Sequence, residues 1–168
     1  MARPPSSERI EPLGEHDRTG FRCGVDALDR YFRTQAGQDS RKRVATCFVL
    51  IADDGAVAGY HTLSATSILL AELPPATAKK LPRYPVVPAT LMGRLAVDRR
   101  YRGRKFGEML LFDAFARTLR SEIASFAFVV DAKDDDAKAF YERYGFLSLP
   151  SAGRRMLKPL AEIAALFG

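Results

Sequence analysis

The chain has 168 residues, 47% of them hydrophobic, with 26 Lys and Arg against 20 Asp and Glu, giving a formal net charge of +6. This is the length of one domain, and the apolar fraction is enough to fill a core, which excludes a disordered chain. No apolar run approaches the ~18 residues of a membrane span, and residues 1–7 lack the apolar stretch of a signal peptide, so a cytoplasmic protein with no membrane partner is expected.

In chain order, residues 1–7 read as a flexible tail and 9–13 as a short edge strand. Leu28, Tyr31, Phe32 and Gln35 recur at i, i+3, i+4 and i+7, a helical stripe that Gly37 is expected to end or kink. Residues 44–52 and 57–67 are two runs of β-formers around Asp53-Asp54-Gly55, where glycine supplies a positive φ, so they read as an antiparallel hairpin. Five prolines (Pro74, Pro75, Pro82, Pro85, Pro88) predict a loop up to Thr90, with at most a short helix over 76–81.

Residues 91–97 read as a buried strand running into the basic turn Arg99-Arg100-Tyr101-Arg102-Gly103-Arg104-Lys105-Phe106-Gly107. A helix follows, with Leu110, Leu111, Ala114, Phe115 and Leu119 as its stripe and Met109 and Phe112 widening it. An apolar strand over 126–130 and a helix over 134–144 come next, the helix capped by Asp134 and stopped by Gly145 at C′. Residues 146–149 and 155–157 complete the pattern as a strand pair. The order implies an α/β single domain with a mixed sheet, parallel in its middle where helices join the strands.

Cys23 and Cys47 have no Cys or His neighbour at metal-ligand spacing and only His16 and His61 are present, so no metal is expected and buried reduced thiols are. The basic turn is the main chemical signal. A strand that turns through glycine into a helix gathers backbone N–H groups at the helix N-terminus, where the macrodipole favours an anion. The turn lacks the Gly-Lys-Ser/Thr of a Walker loop and the three glycines of a dinucleotide fingerprint. By itself it is equally a solvated basic face.

A second motif, Asp134-Asp135-Asp136-Ala137-Lys138-Ala139-Phe140-Tyr141-Glu142-Arg143-Tyr144-Gly145-Phe146, stands beside it. Together the two resemble the GNAT acetyltransferases. That family holds the pyrophosphate of acetyl-CoA with a Q/R-x-x-G-x-G/A turn, which falls here on Arg102, Lys105 and Gly107. It also carries a helix ending in Tyr-x-x-x-Gly-Phe, here Tyr141, Gly145 and Phe146, with small Ala137 before it and Asp134 where Asn is common. The middle glycine is Lys105; with a helical φ < 0 it would have to move only its side chain, and its ammonium would then reach a phosphate.

The similarity extends to Cys23-Gly24, Leu28-Asp29-Arg30-Tyr31, Gln35-Ala36, Gly59-Tyr60-His61-Thr62-Leu63-Ser64, Leu81-Pro82-Arg83-Tyr84-Pro85, Gly93 to Asp98 and Val130-Asp131-Ala132-Lys133, which look like the GNAT toxins of type II toxin–antitoxin modules. That resemblance implies a GNAT-like, mostly antiparallel sheet flanked by helices. It implies acetyl-CoA as co-substrate, held by Leu95, Ala96, Val97, Arg102, Gly103, Arg104, Lys105, Phe106, Gly107 and Asp134. It implies Tyr141 as general acid toward the CoA sulfur, with Leu95–Val97 N–H groups on the thioester carbonyl. It also implies aminoacyl-tRNA as substrate, a ribbon–helix–helix antitoxin as partner, and the homodimer common in the family.

The residues are consistent with this. A tyrosine with an ordinary pKa of about 10 carries a proton at neutral pH, whereas an acceptor α-amine near 7.7–8.0 is partly neutral without a base. No carboxylate lies on 91–97 to serve as one. Arg41, Lys42, Arg43, Arg83 and Arg94 are the candidates for tRNA phosphates, Arg94 standing out as a charge within an apolar strand. Two alternatives stay open: a GNAT acting on a small amine or a protein N-terminus, and a non-catalytic module that binds nucleic acid or an antitoxin.

Overall fold

A computed structural model describes residues 7–149 and 153–168. The tail expected over 1–7 therefore falls, save Ser7, outside the described residues. Among the described residues, seven strands and six α-helices form an α/β fold: β1 (Arg9–Pro12), α1 (Asp26–Thr34), α2 (Ala36–Arg41), β2 (Thr46–Ile51), β3 (Val57–Leu69), α3 (Pro75–Ala78), β4 (Val86–Val97), α4 (Phe106–Arg120), β5 (Ala127–Asp131), α5 (Asp135–Arg143), β6 (Leu147–Ser148), β7 (Arg155–Pro159) and α6 (Leu160–Phe167). The sheet order is β1-β2-β3-β4-β5-β7-β6, with β4–β5 parallel and the pairs β1–β2, β2–β3, β5–β7 and β7–β6 antiparallel. The chain divides into two compact units, residues 1–63 with 94–114, and residues 64–93 with 115–168.

In the first unit, the β2–β3 hairpin forms as its sequence predicts: Gly55 adopts φ 85° and its N–H bonds to the Ala52 carbonyl. One face of the hairpin packs on α1, where Phe32 stacks on Tyr60 at 4.3 Å and Phe21 meets both edge-on. Cys23 and Cys47 lie in this cluster as buried reduced thiols, and burial pushes the Cys47 thiol up to about 12 against the opposing charges of Arg18 and Arg94. The other face carries Leu50, Ala52 and Ala58 against Tyr101, Phe106 and Leu110. Gly59 is required here, because a Cβ would stand 2.8 Å from both the Ala96 carbonyl and the Leu110 side chain. In the second unit, Ala127 and Val129 of β5 and Leu157 of β7 pack with Ile68, Val87 and Leu149.

Several expectations need correction. The helix break falls at Gln35, and Gly37 lies inside α2. Met109 is exposed, so it does not widen the buried stripe of α4. β4 begins at Val86 and runs through Pro88, where the proline pattern predicts a loop. Pro88 needs no N–H there, since its carbonyl still accepts from Phe126 N–H. β7 stands between β5 and β6, so the strands that α5 joins run parallel without being neighbours. Helix α6 had no counterpart in the sequence reading.

Candidate active site

The Tyr-x-x-x-Gly-Phe motif of the second unit is a complete helix C-terminal lock. Gly145 adopts φ 86°, its N–H bonds to the Glu142 carbonyl, and Phe146 N–H bonds to the Tyr141 carbonyl. This is the Schellman arrangement, with the accompanying apolar contact supplied by Phe146 and Tyr141, ring centroids 5.3 Å apart. Phe146 is anchored in turn on Phe115 and Phe128. The motif thus fixes the Tyr141 backbone through its carbonyl and its ring through Phe146. The N-terminal end of α5 is equally defined: Asp134 caps it, its carboxylate accepting from Ala137 N–H at 2.8 Å.

Tyr141 is 6% exposed, and its hydroxyl has no hydrogen-bond partner among the described residues. Burial, with a contribution from the Asp131 carboxylate, raises its pKa well above the ordinary tyrosine value. The group thus stays a protonated, neutral O–H across the whole physiological range.

The basic turn lies in the first unit, and it is held from several sides. Asp98 at the end of β4 is 1% exposed, and its carboxylate accepts from Arg22 N–H, Arg100 N–H and the Arg100 guanidinium. Burial alone would raise its pKa; these donors outweigh burial and hold it below the usual carboxylate value. Tyr101 donates to Asp54 of the hairpin turn at 2.7 Å, and Arg104 sits 3.8 Å from Asp53. The Arg102 guanidinium donates to the Cys23 carbonyl at 3.1 Å. Three arginines of the turn are therefore already engaged with the protein, whereas the Lys105 ammonium has no polar partner among the described residues.

Lys105 also departs from its expected backbone. It adopts φ 60°, the left-handed region, rather than a helical φ. The position demands what a glycine gives freely, which explains why the pattern prefers one there. Its carbonyl accepts from Met109 N–H, so it opens α4, and the N–H groups of Phe106, Gly107 and Glu108 lie in the first turn, where no intrahelical acceptor exists. Gly103 adopts φ 83° with open space where a Cβ would stand. Turn and helix end together fit a pyrophosphate group.

Of the remaining predicted residues, Leu95, Ala96 and Val97 lie on β4, and the β4–β5 ladder, from Ala89 to Met92, stops short of them. Their N–H groups facing that edge are outside that ladder. Arg41 closes α2, Lys42 follows it, and Arg43 adopts φ 60°. Arg94 lies on β4 with its guanidinium over the Tyr31 ring. Arg83 is exposed in the segment before β4. The first unit thus brings together Leu95–Val97, the basic turn, Arg94 and Arg41–Arg43; Tyr141, Asp134 and Arg83 belong to the second. The sequence reading missed Asp98, Asp53 and Asp54 as organisers of the turn. Asp98 directly follows an apolar strand and precedes two arginines, which was the available signal.

The Acetyltransferase (GNAT) family model matches residues 13–146. A protein of Sinorhizobium fredii named "Probable toxin TacT" is 33% identical over the whole of both chains. A "tRNA-acetylating toxin" of Mycobacterium tuberculosis is 34% identical over 90% of this chain and 91% of its own. Among solved structures, AtaT complexed with acetyl-methionyl-tRNAfMet matches with a TM-score of 0.86 and 27% identity, covering 96% of this chain and 99% of that one. AtaTR bound with AcCoA matches with a TM-score of 0.81 and 26% identity over 96% and 98%. With the motif turn, the locked tyrosine helix and the family model coinciding over most of its length, this chain belongs to the GNAT acetyltransferase family.

Proposed function

We propose that this protein is a toxin that acetylates the α-amino group of aminoacyl-tRNA and so blocks translation. The observation that carries the reading is the lodging of Tyr141: a buried, neutral hydroxyl on a helix end locked by Gly145 and Phe146. The relative named for tRNA acetylation and the tRNA-bound neighbour support the choice of acceptor.

When bound, acetyl-CoA supplies an activated acetyl thioester. The first-turn N–H groups of α4, Gly103, Gly107 and the Lys105 ammonium hold its pyrophosphate, with Arg102, Arg104 and Phe106 shaping the turn. The Leu95–Val97 N–H groups hold the thioester carbonyl and stabilise negative charge as it develops on the oxygen. Tyr141 gives its proton to the departing sulfur. Asp134 orders α5 by capping it. Arg41, Lys42, Arg43, Arg83 and Arg94 contact acceptor phosphates, giving affinity rather than sequence choice. An α-amine needs less deprotonation than a lysine side chain, in keeping with the lack of a carboxylate on residues 91–97. A cytoplasmic location and a ribbon–helix–helix antitoxin complete the reading; reading the neighbouring gene tests the partner, with a short upstream frame of that pattern as the expected result and its absence as the result against it.

In vitro translation with and without acetyl-CoA, followed by mass spectrometry of the tRNA, tests the proposal. Acetylated aminoacyl ends and acetyl-CoA-dependent inhibition are expected; inhibition that ignores acetyl-CoA overturns it. Lys105 in a left-handed conformation favours a second reading, a binding module with no acetyl-CoA site. Micromolar calorimetric binding of acetyl-CoA would rule that module out.

A further inference from the structure

Arg94 interrupts an otherwise apolar strand, and the fold holds it in an unusual way. On β4, Arg94 and Ala96 face the α1 side of the sheet, while Leu95 and Val97 join the cluster with Phe106 and Leu110. The Arg94 guanidinium carbon lies 3.5 Å from the Tyr31 ring centroid, a stacked cation–π contact. The ring is itself fixed. Its hydroxyl donates to Asp39 Oδ2 at 2.8 Å, and Gln35 Nε2 donates to Asp39 Oδ1 at 3.0 Å. The Gln35 and Tyr31 hydrogen bonds, outweighing a small burial effect and helped by the charges of Arg94 and Lys42, hold the Asp39 carboxyl below its ordinary value. Asp39 belongs to α2, which ends at Arg41 with Lys42 and Arg43 following.

Arg94 uses its face and not its edge. Among the described residues it has no hydrogen-bond acceptor and no ion pair, although it is only half-exposed. A guanidinium edge carries five N–H donors in a fixed fork suited to the two oxygens of a phosphate. A side chain placed only to neutralise Asp39 would turn that fork toward the carboxylate. Here the carboxylate takes the tyrosine hydroxyl and the glutamine amide instead.

We propose that Tyr31 is a positioning residue: its ring, fixed by Asp39, presents the Arg94 fork to a phosphodiester of the nucleic-acid acceptor. This rests on the aminoacyl-tRNA reading above. It assigns Tyr31, Gln35 and Asp39 a part in acceptor affinity and none in acetyl-CoA binding.

Steady-state acetylation of charged tRNA by the full chain across a salt series tests this, with calorimetric titration of acetyl-CoA beside it. Tyr31→Leu is expected to raise KM for charged tRNA about tenfold, with kcat and the acetyl-CoA Kd within about twofold. The slope of log KM against log salt should fall by about one, the signature of one lost phosphate contact, which a purely structural role would not move. Tyr31→Phe keeps the platform and should stay within about threefold, while Arg94→Lys, which loses the planar fork, should resemble Tyr31→Leu. If Tyr31→Leu does not fold, Asp39→Asn outside the buried core should show the same slope change with a KM rise of about threefold. A KM rise with an unchanged slope, or an equal loss of acetyl-CoA affinity, overturns the proposal. So does an unaltered KM in Tyr31→Leu when Arg94→Ala raises it. A wild-type protein that acetylates no charged tRNA overturns the proposed function instead.

Discussion

The two motif segments, Tyr141–Phe146 and Arg99–Gly107, stand at opposite kinds of helix end. At the C-terminus of α5, the chain supplies its own answer to the exposed carbonyls, with Gly145 and Phe146 N–H groups closing on Glu142 and Tyr141. At the N-terminus of α4, the first N–H groups await a guest, while Arg100, Arg102 and Arg104 of the turn are spent on protein acceptors. A helix end that closes on itself is rigid without ligand and is specified by six neighbouring residues. One that waits for an anion must be braced from elsewhere, and here the braces come from far along the chain: Tyr101 and Asp54 are 47 positions apart, Arg102 and Cys23 79 apart.

The comparison is sharpened most by Tyr141→Phe. The ring, its contact with Phe146 and its backbone bond all remain, so stability should be unchanged by thermal melting. Loss of the proton donor should lower kcat by about 10²–10³-fold in an acetylation assay. An equal loss of Tm would instead mean that the hydroxyl serves the fold.

The brace of the basic turn is broken by Asp98→Ala. This leaves Arg22 N–H and Arg100 N–H without their buried acceptor, at a cost of about 2–3 kcal/mol, or a fall of roughly 5–10 °C in Tm. The pH dependence follows from the lowered Asp98 pKa. A carboxyl held below its unfolded value contributes its full stability above the usual carboxylate pKa of about 3.9 and loses it as pH falls through the folded value. Wild type should therefore lose stability more steeply than Asp98→Asn in that acid window, as followed by denaturant titration at each pH.

Gly145→Ala tests the closed end. An alanine must take φ near 86°, and its Cβ would stand 2.5 Å from Lys158 Nζ. The ammonium can move, so most of the expected loss of about 1–2 kcal/mol is backbone strain. Since the same bond network seats Tyr141, kcat should drop with Tm. An unchanged kcat would separate the lock from catalysis.

What the sequence disclosed follows the same division. The hairpin around Gly55, the Asp134 cap and the Gly145 stop are set by near neighbours and were readable. The same is true of the β4–α4–β5 path and the segment that carries Tyr141, because a helix and a strand announce themselves by period. The entry of β4 at Val86 was not, since proline was read by its missing N–H while the sheet uses its carbonyl. The insertion of β7 between β5 and β6 depends on pairing, which local pattern does not encode. Tyr31 was read as one more apolar position of a helical stripe, and its stripe position is right. Its hydroxyl partner lies eight residues on, past the helix break at Gln35, and its ring partner lies on β4.

The smallest expected effect isolates the open end most cleanly. Lys105 carries a Cβ at φ 60°, where a side chain is disfavoured and glycine is not. Lys105→Gly should gain about 0.5–1 kcal/mol of unfolding free energy, after the greater flexibility of glycine in the unfolded chain is set against the relieved strain. Lys105→Ala removes the same charge but keeps the Cβ, so it should gain nothing. Denaturant unfolding of the pair therefore separates backbone strain from the lost ammonium. A gain shared by both variants would assign it to relief of charge crowding among Arg100, Arg102 and Arg104. A gain in glycine alone would show that the turn holds its left-handed residue under strain before any anion arrives, whereas the left-handed residue at the α5 end is already a glycine.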